Sequence, residues 1–138
     1  MENRELVMEA LKARKQAYCP YSGFAVGAAL LCADGRVFTG CNIENAAYSA
    51  TNCAERTAMF KAVSEGNTDF RAIAIVGGPK GKEPKDFCAP CGVCRQVMAE
   101  FCDPETFRIV LMNGDGEIRE YLLKELLPLG FTGKALEI

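Results

Sequence analysis

Apolar positions along the chain change their period several times, and each change marks an element. Leu6, Val7, Ala10, Leu11 and Ala13 share one helical face, while Glu2, Arg4, Glu9 and Lys12 are available to water, so residues 2–17 read as an amphipathic helix. Cys19-Pro20-Tyr21-Ser22-Gly23 ends it. Phe24 to Cys32 reads as a strand, Asp34-Gly35 as a hairpin turn, and Arg36 to Asn42 as the returning strand. Residues 53–64 have helical character, with Gly66-Asn67 as the stop. Ala72 to Val76 is a short unbroken apolar run, the pattern of a central strand. Cys91 to Phe101 reads as a further helix that starts just after Pro90. Phe107 to Met112 and Glu117 to Tyr121 flank a turn at Asn113-Gly114-Asp115-Gly116 and form a closing hairpin. Leu122 to Leu127 reads as a short helix before Pro128 and a tail that contains Phe131.

Helix, hairpin, helix, strand, helix and hairpin in that order predict a three-layer α/β/α sandwich around a five-stranded mixed sheet. No repeat or linker divides the chain, so residues 1–138 read as one domain. The segment Gly77 to Lys85 is rich in Gly, Pro and Lys, but its spacing is one residue short of a phosphate loop. Glu83 also follows Lys82 where Ser or Thr is needed, so the segment reads as a solvated connection.

Composition narrows the class. Nearly half the residues are apolar and a quarter are charged, as in soluble globular proteins. The net charge of −2, with no run of Lys or Arg, argues against a nucleic-acid polymer as partner. The N-terminus is charged where a signal peptide is apolar. The longest apolar run, Phe24 to Ala33, is about half of the roughly 20 residues a spanning helix needs. These features predict a cytoplasmic protein with no membrane partner.

Eight cysteines in 138 residues call for an explanation. Their even number allows a secreted disulfide scaffold, but the apolar content can build a core unaided. Cys19, Cys32, Cys41 and Cys102 lie in apolar or strand-like contexts and read as free, partly buried thiols. The others form a pattern. Cys53-Ala54-Glu55 and the later Pro90-Cys91-Gly92-Val93-Cys94 each open a predicted helix, where the backbone dipole favours a thiolate. Cys91 and Cys94 lie one helical turn apart and face one point, and Cys53 completes a tripod. Three protein ligands leave a fourth tetrahedral position on zinc for water, whose pKa the metal lowers towards neutrality. Three thiolates give the centre a formal charge of −1, which weakens that effect and calls for compensation. Arg56 stands beside Glu55 and is either that compensation or a surface arginine. Glu55 is placed to take a proton from water and pass it on. Two other readings remain: Cys88 as a fourth ligand of a closed structural site, and a redox dithiol.

The sequence resembles the small, homotetrameric, zinc-dependent cytidine deaminases over nearly its whole length. The resemblance is carried by residues 21–30 (YSGFAVGAAL), residues 40–49 (GCNIENAAYS), Cys53-Ala54-Glu55-Arg56, and residues 90–96 (PCGVCRQ). Zinc base deaminases have a H-x-E…P-C-x-x-C signature. Here Cys53 takes the place of the His, as in the small tetrameric branch. The resemblance implies one Zn2+ per subunit and a homotetramer whose sites are shared between subunits. It implies that Phe24 stacks on the pyrimidine, that Asn42 and Glu44 bind the ribose hydroxyl, and that Arg56 offsets the thiolate charge. It further implies that Ala54 contacts substrate, that Ala46 and Tyr48 line a shared site, and that Phe131 of a neighbour covers the base. The bland alternatives are core packing for Phe24 and Phe131 and a strand-end cap for Asn42.

The resulting expectation is hydrolytic deamination of cytidine and 2′-deoxycytidine to the uridine forms, with release of ammonia, in pyrimidine salvage. The rivals are a nucleoside-antibiotic deaminase of the blasticidin type, a polynucleotide-editing deaminase, and a structural zinc module that binds a partner.

Overall fold

The computed structural model describes residues 1–136. Helix α1 (Asn3–Arg14) leads to strands β1 (Phe24–Cys32) and β2 (Val37–Cys41). Helix α2 (Ala54–Ser64), strand β3 (Phe70–Pro79) and helix α3 (Gly92–Phe101) follow. Strands β4 (Arg108–Met112) and β5 (Ile118–Leu122) and the short helix α4 (Leu123–Leu126) complete the regular fold. Single 3₁₀ turns span Tyr48–Ala50 and Gly133–Leu136. The sheet order is β2-β1-β3-β4-β5. Only β3 and β4 run parallel; the other neighbours are antiparallel.

Alternation along the strands assigns the layers. Ala72, Ala74 and Val76 of β3 pack with Leu6, Val7 and Ala10 of α1. Ile73 and Ile75, one residue out of phase, pack with Ala58 and Met59 of α2 and with Cys94 and Met98 of α3. The period of two thus sends neighbouring residues into two separate cores. Each fully buried Ile or Leu contributes about 1.5–3 kcal/mol to those cores. The result is the expected five-stranded α/β/α sandwich, with α1 alone on one face and α2 and α3 on the other.

Close approach on the α1 face requires glycine. A Cβ on Gly27 would lie 2.0 Å from the Ala10 carbonyl oxygen and 2.5 Å from the Arg14 amide. Arg14 then turns into the sheet: its Nε donates to Ala25 O at 2.9 Å and its Nη2 to Pro79 O at 2.7 Å. The last bonds near α1 close over three residues rather than four, from Lys15, Gln16 and Ala17 to Lys12, Ala13 and Arg14. This tightening is why the helix stops at Arg14 instead of continuing to residue 17.

Other boundaries differ from expectation as well. Strand β3 runs to Pro79, so Gly77 and Gly78 belong to the sheet and not to a loop. They pair with Val26 and Ala25. Glycine serves there because a Cβ on Gly77 would lie 2.7 Å from Cys88 Sγ, and one on Gly78 would lie 2.9 Å from Pro84 Cα. Strand β2 ends at Cys41, one residue early, because the Asn42 side chain takes over the ladder. Its Oδ1 accepts from Val26 N at 2.9 Å and its Nδ2 donates to Phe24 O at 2.8 Å. Leu122 closes β5 rather than opening α4.

Candidate metal centre and active site

The start of β1 and the end of β3 lie side by side, with Phe24 opposite Pro79. A cavity of about 250 Å³ opens beside them, and its wall includes Asn42, Glu44, Cys53, Ala54, Glu55 and Cys91. This is the C-terminal end of β3, where open α/β sheets commonly hold their sites.

Cys53 and Cys91 are the N-cap residues of α2 and α3, each with extended backbone and no side-chain cap bond. Both sulfurs are therefore free to turn away from the helix ends, and Cys94 reaches the same point from the first turn of α3. The three Sγ atoms all lie within 4.8 Å of one another, and Cys53 and Cys91 are 3.9 Å apart. Cys88 is outside this cluster. It lies in the cavity wall against Gly77, where burial pushes its thiol up to about 11.

The electrostatics suit an anionic centre. A hydrogen bond from Cys94, supported by Arg56 and opposed by burial, holds the Cys53 thiol down at about 5. The same bond and burial raise Cys94 well above the ordinary thiol range. Thiolate ligands must lose their protons to hold a metal, and the lowered Cys53 value favours that. Arg56 Nη2 donates to Cys53 Sγ at 3.2 Å. Burial lowers the Arg56 pKa, but hydrogen bonds to Cys53 and Cys94 outweigh it and raise the pKa overall. Its Nε is buried without a hydrogen-bond partner among the described residues.

Glu55 is 4% exposed, on the second residue of α2. Burial pushes its carboxyl up to about 7; its own backbone N–H pulls the other way, and the charge of Cys53 adds to the rise. A nearly buried carboxylate in the same cavity wall as Cys53 and Cys91 fits proton transfer far better than a solvated helix-end charge.

The donor set fits zinc. Three soft thiolate ligands favour zinc or another thiophilic ion. Among the described residues the cluster has no fourth His, Cys, Asp or Glu, so it leaves a coordination position open.

A family model described as the cytidine and deoxycytidylate deaminase zinc-binding region matches residues 1–110. The chain belongs to this family. It is a hydrolytic deaminase built around a zinc-binding cysteine triad. The cytidine deaminase of Sporosarcina psychrophila is 52% identical over 136 residues, covering 99% of this chain and 96% of that one. That of Halalkalibacterium halodurans is 54% identical over 134 residues, covering 97% of each. The crystal structure of cytidine deaminase from Burkholderia pseudomallei superimposes with a TM-score of 0.85 at 49% identity, over 95% of this chain and all of that one.

Within this deaminase fold, the remaining candidate residues divide. Asn42, Glu44 and Ala54 share the cavity with the cysteines. Both Glu44 oxygens face the loop before β1: Oε1 accepts from the Tyr21 and Ser22 amides at 2.9 and 3.0 Å, and Oε2 accepts from the Ser22 hydroxyl. Phe24 is 42% exposed, on a neighbouring groove with Gly77, Gly78 and Phe87. Its ring edge and Cys88 Sγ both flank Gly77. Tyr48 is 86% exposed and Ala46 is exposed. Phe131 is 60% exposed, and its carbonyl accepts from Gln96 Nε2 at 2.7 Å. These four aromatic and small side chains are not drawn into the cavity within one chain.

The structure adds Val26, Thr51 and Asn52 to the cavity wall. Asn52 exchanges two backbone bonds of 2.9 Å with Ile43, which ties the approach to Cys53 onto the end of β2. No periodic signal in the sequence marks this single bridge. Cys19, Cys32 and Cys102 are buried free thiols, and Cys41 is half-buried. No helix among the described residues is long and apolar enough to cross a membrane.

Proposed function

We propose that residues 1–138 form one catalytic domain that converts cytidine and 2′-deoxycytidine to uridine and 2′-deoxyuridine with release of ammonia. The observation that carries the reading is the buried Glu55 carboxylate in the same cavity wall as Cys53 and Cys91. Zinc held by Cys53, Cys91 and Cys94 supplies Lewis acidity that makes water a nucleophile near neutral pH. Glu55 takes one proton from the water that attacks C4 and delivers it to N3 of the ring. It then carries the second proton to the departing amino group, so that one water is consumed and one ammonia leaves. Arg56 offsets the charge of the thiolates through its bond to Cys53.

Asn42 and Glu44 bind the ribose hydroxyl from the cavity wall, and Ala54 contacts the substrate beside Glu55. Phe24 stacks on the pyrimidine. Ala46 and Tyr48 line a site shared between chains of a homotetramer, and Phe131 of a neighbouring chain covers the base. The exposure of Phe24, Tyr48 and Phe131 supports this arrangement, because large apolar side chains left open on the surface suit a contact between chains. The enzyme acts in the cytoplasm, in pyrimidine salvage.

The test is direct. Purified zinc-loaded protein is incubated with cytidine, 2′-deoxycytidine and blasticidin S, and the absorbance change of each is followed. Rapid loss of the cytidine and deoxycytidine bands is expected. Turnover of blasticidin S alone would replace the substrate assignment, and no turnover of any of the three would end it.

A further inference from the structure

Cys91 is exposed, and its segment has no regular structure before α3 begins at Gly92. Its position nevertheless has to be fixed to within a fraction of an ångström for a tripod of sulfurs to hold a metal. The backbone bonds available for this are few. Among the described residues, the backbone of 86–90 is held by one hydrogen bond, from Arg95 Nε to Pro90 O at 2.8 Å. The next residue is Cys91, and its carbonyl accepts from the Arg95 amide at 3.0 Å. One residue thus anchors the carbonyl on each side of the Cys91 α-carbon: its side chain holds the peptide before, and its main chain holds the peptide after.

The other prong of the guanidinium is also committed. Arg95 Nη1 donates to Leu126 O at 2.7 Å, in the last turn of α4. A carbonyl in that position has no acceptor role inside a four-residue helix and lies at the negative end of its dipole. Arg95 is therefore fixed at one end by the C-terminal helix and at the other by the peptide before a ligand. Its neighbour Gln96 makes a separate bond to the tail, at Phe131 O.

We propose that Arg95 is a positioning residue that sets Cys91 in the metal tripod and references it to α4. The side-chain hydrogen bonds of Arg95 go to two carbonyls, Pro90 O and Leu126 O, and not to the cysteine sulfurs. Arg95 acts by locking the Pro90–Cys91 peptide, and the fixed fork of arginine is needed because lysine cannot span two carbonyls in two directions. This inference rests on the cysteine triad holding zinc.

The test measures metal retention rather than turnover. Wild type, Arg95→Met, Arg95→Lys and Gln96→Ala are loaded with zinc, and the rate of zinc release to an excess of a chromogenic chelator is followed. Cobalt(II) forms of the same proteins are compared by absorption of the thiolate–cobalt bands. Arg95→Met is expected to release zinc about 10–100-fold faster, the usual effect of losing a group that orients a ligand. It is also expected to shift the cobalt bands. Arg95→Lys should fall between it and wild type, and Gln96→Ala should match wild type. Unchanged release and unchanged cobalt bands in Arg95→Met would overturn the assignment, even if its thermal midpoint fell. Equal loss of zinc from Gln96→Ala would overturn it too, by tracing the effect to general loosening of the tail. If wild type itself bound no zinc, the metal reading would fail and not the Arg95 clamp alone.

Discussion

The inner and outer halves of the site are built in opposite ways. Inside, Ala54, Glu55 and Cys94 are buried on helices α2 and α3, and their positions follow from the packing of those helices on the sheet. Outside, Phe24, Tyr48 and Phe131 stand exposed on a strand start, a 3₁₀ turn and a tail. In the proposed function, reaction chemistry is thus assembled within one chain, whereas the side chains proposed to enclose a base are left uncovered. Desolvation explains the split. A carboxylate raised towards neutrality needs burial, which a single core provides. An aromatic cover needs only contact, which a second chain can bring.

The largest break in the comparison comes from Cys94→Ala, at the buried centre. This change removes one of three ligands and the partner that lowers the Cys53 pKa. Zinc content by elemental analysis is expected to fall close to zero, with turnover at background and a lower thermal midpoint. Retention of a full complement of zinc would show that the tripod is wrongly drawn.

Glu55→Gln is next in size. The amide keeps the volume of the side chain and cannot take a proton. Turnover is expected to drop by about 10²–10⁴-fold, the range for loss of a general acid–base group. Zinc content should be unchanged. Activity within tenfold of wild type would remove Glu55 from the proton path.

Much of the inner half was legible in the sequence, and the reasons are local. Residues 53–64 carry helical character, and Pro90 announces the helix that starts just after it. Both structural starts fall one residue later, since Cys53 and Cys91 are the caps themselves. The end of β3 was not legible. Gly77 and Gly78 have poor strand propensity; they are held in the sheet by pairing with Val26 and Ala25, and the close approach of Cys88 and Pro84 that calls for glycine is visible only once the chain is folded. The same holds for Asn42, whose side chain imitates a strand backbone. The Arg95 clamp is another case, because its acceptor Leu126 lies 31 residues away.

The outer half is tested by Phe131→Ala. If a neighbour supplies this ring, the variant should raise KM about tenfold, a loss of about 1.4 kcal/mol, with a smaller change in kcat. Sharing between chains adds a sharper outcome. Phe131→Ala and Glu55→Gln chains, unfolded together and reassembled, should yield a fraction of sites that turn over with the wild-type KM, which neither variant shows alone, because a Phe131→Ala chain keeps Glu55 and can borrow the ring. Absence of such sites in assemblies shown to contain both chains would place Phe131 in its own chain's site or outside any site.

The smallest effect belongs to Glu44, which sits between the two halves. Hydrogen bonds from Ser22, both hydroxyl and amide, and from the Tyr21 amide hold its carboxyl below the usual carboxylate range. The sign follows from proton binding. Between the lowered folded value and the ordinary unfolded one, the unfolded chain binds more protons, so stability rises with pH there. The contribution is complete above the ordinary glutamate range and is lost as pH falls through the lowered folded value. Glu44→Gln weakens the same bonds wherever Glu44 would be ionised, because a neutral amide oxygen accepts less strongly than a carboxylate. Thermal unfolding should show the variant slightly less stable than wild type at pH 7 and nearly equal to it in strong acid. A gap that stays constant from pH 7 into strong acid would mean that the loop of Tyr21 and Ser22 is held by shape rather than by the charge of Glu44. The rim would then need no ionised group to keep its form.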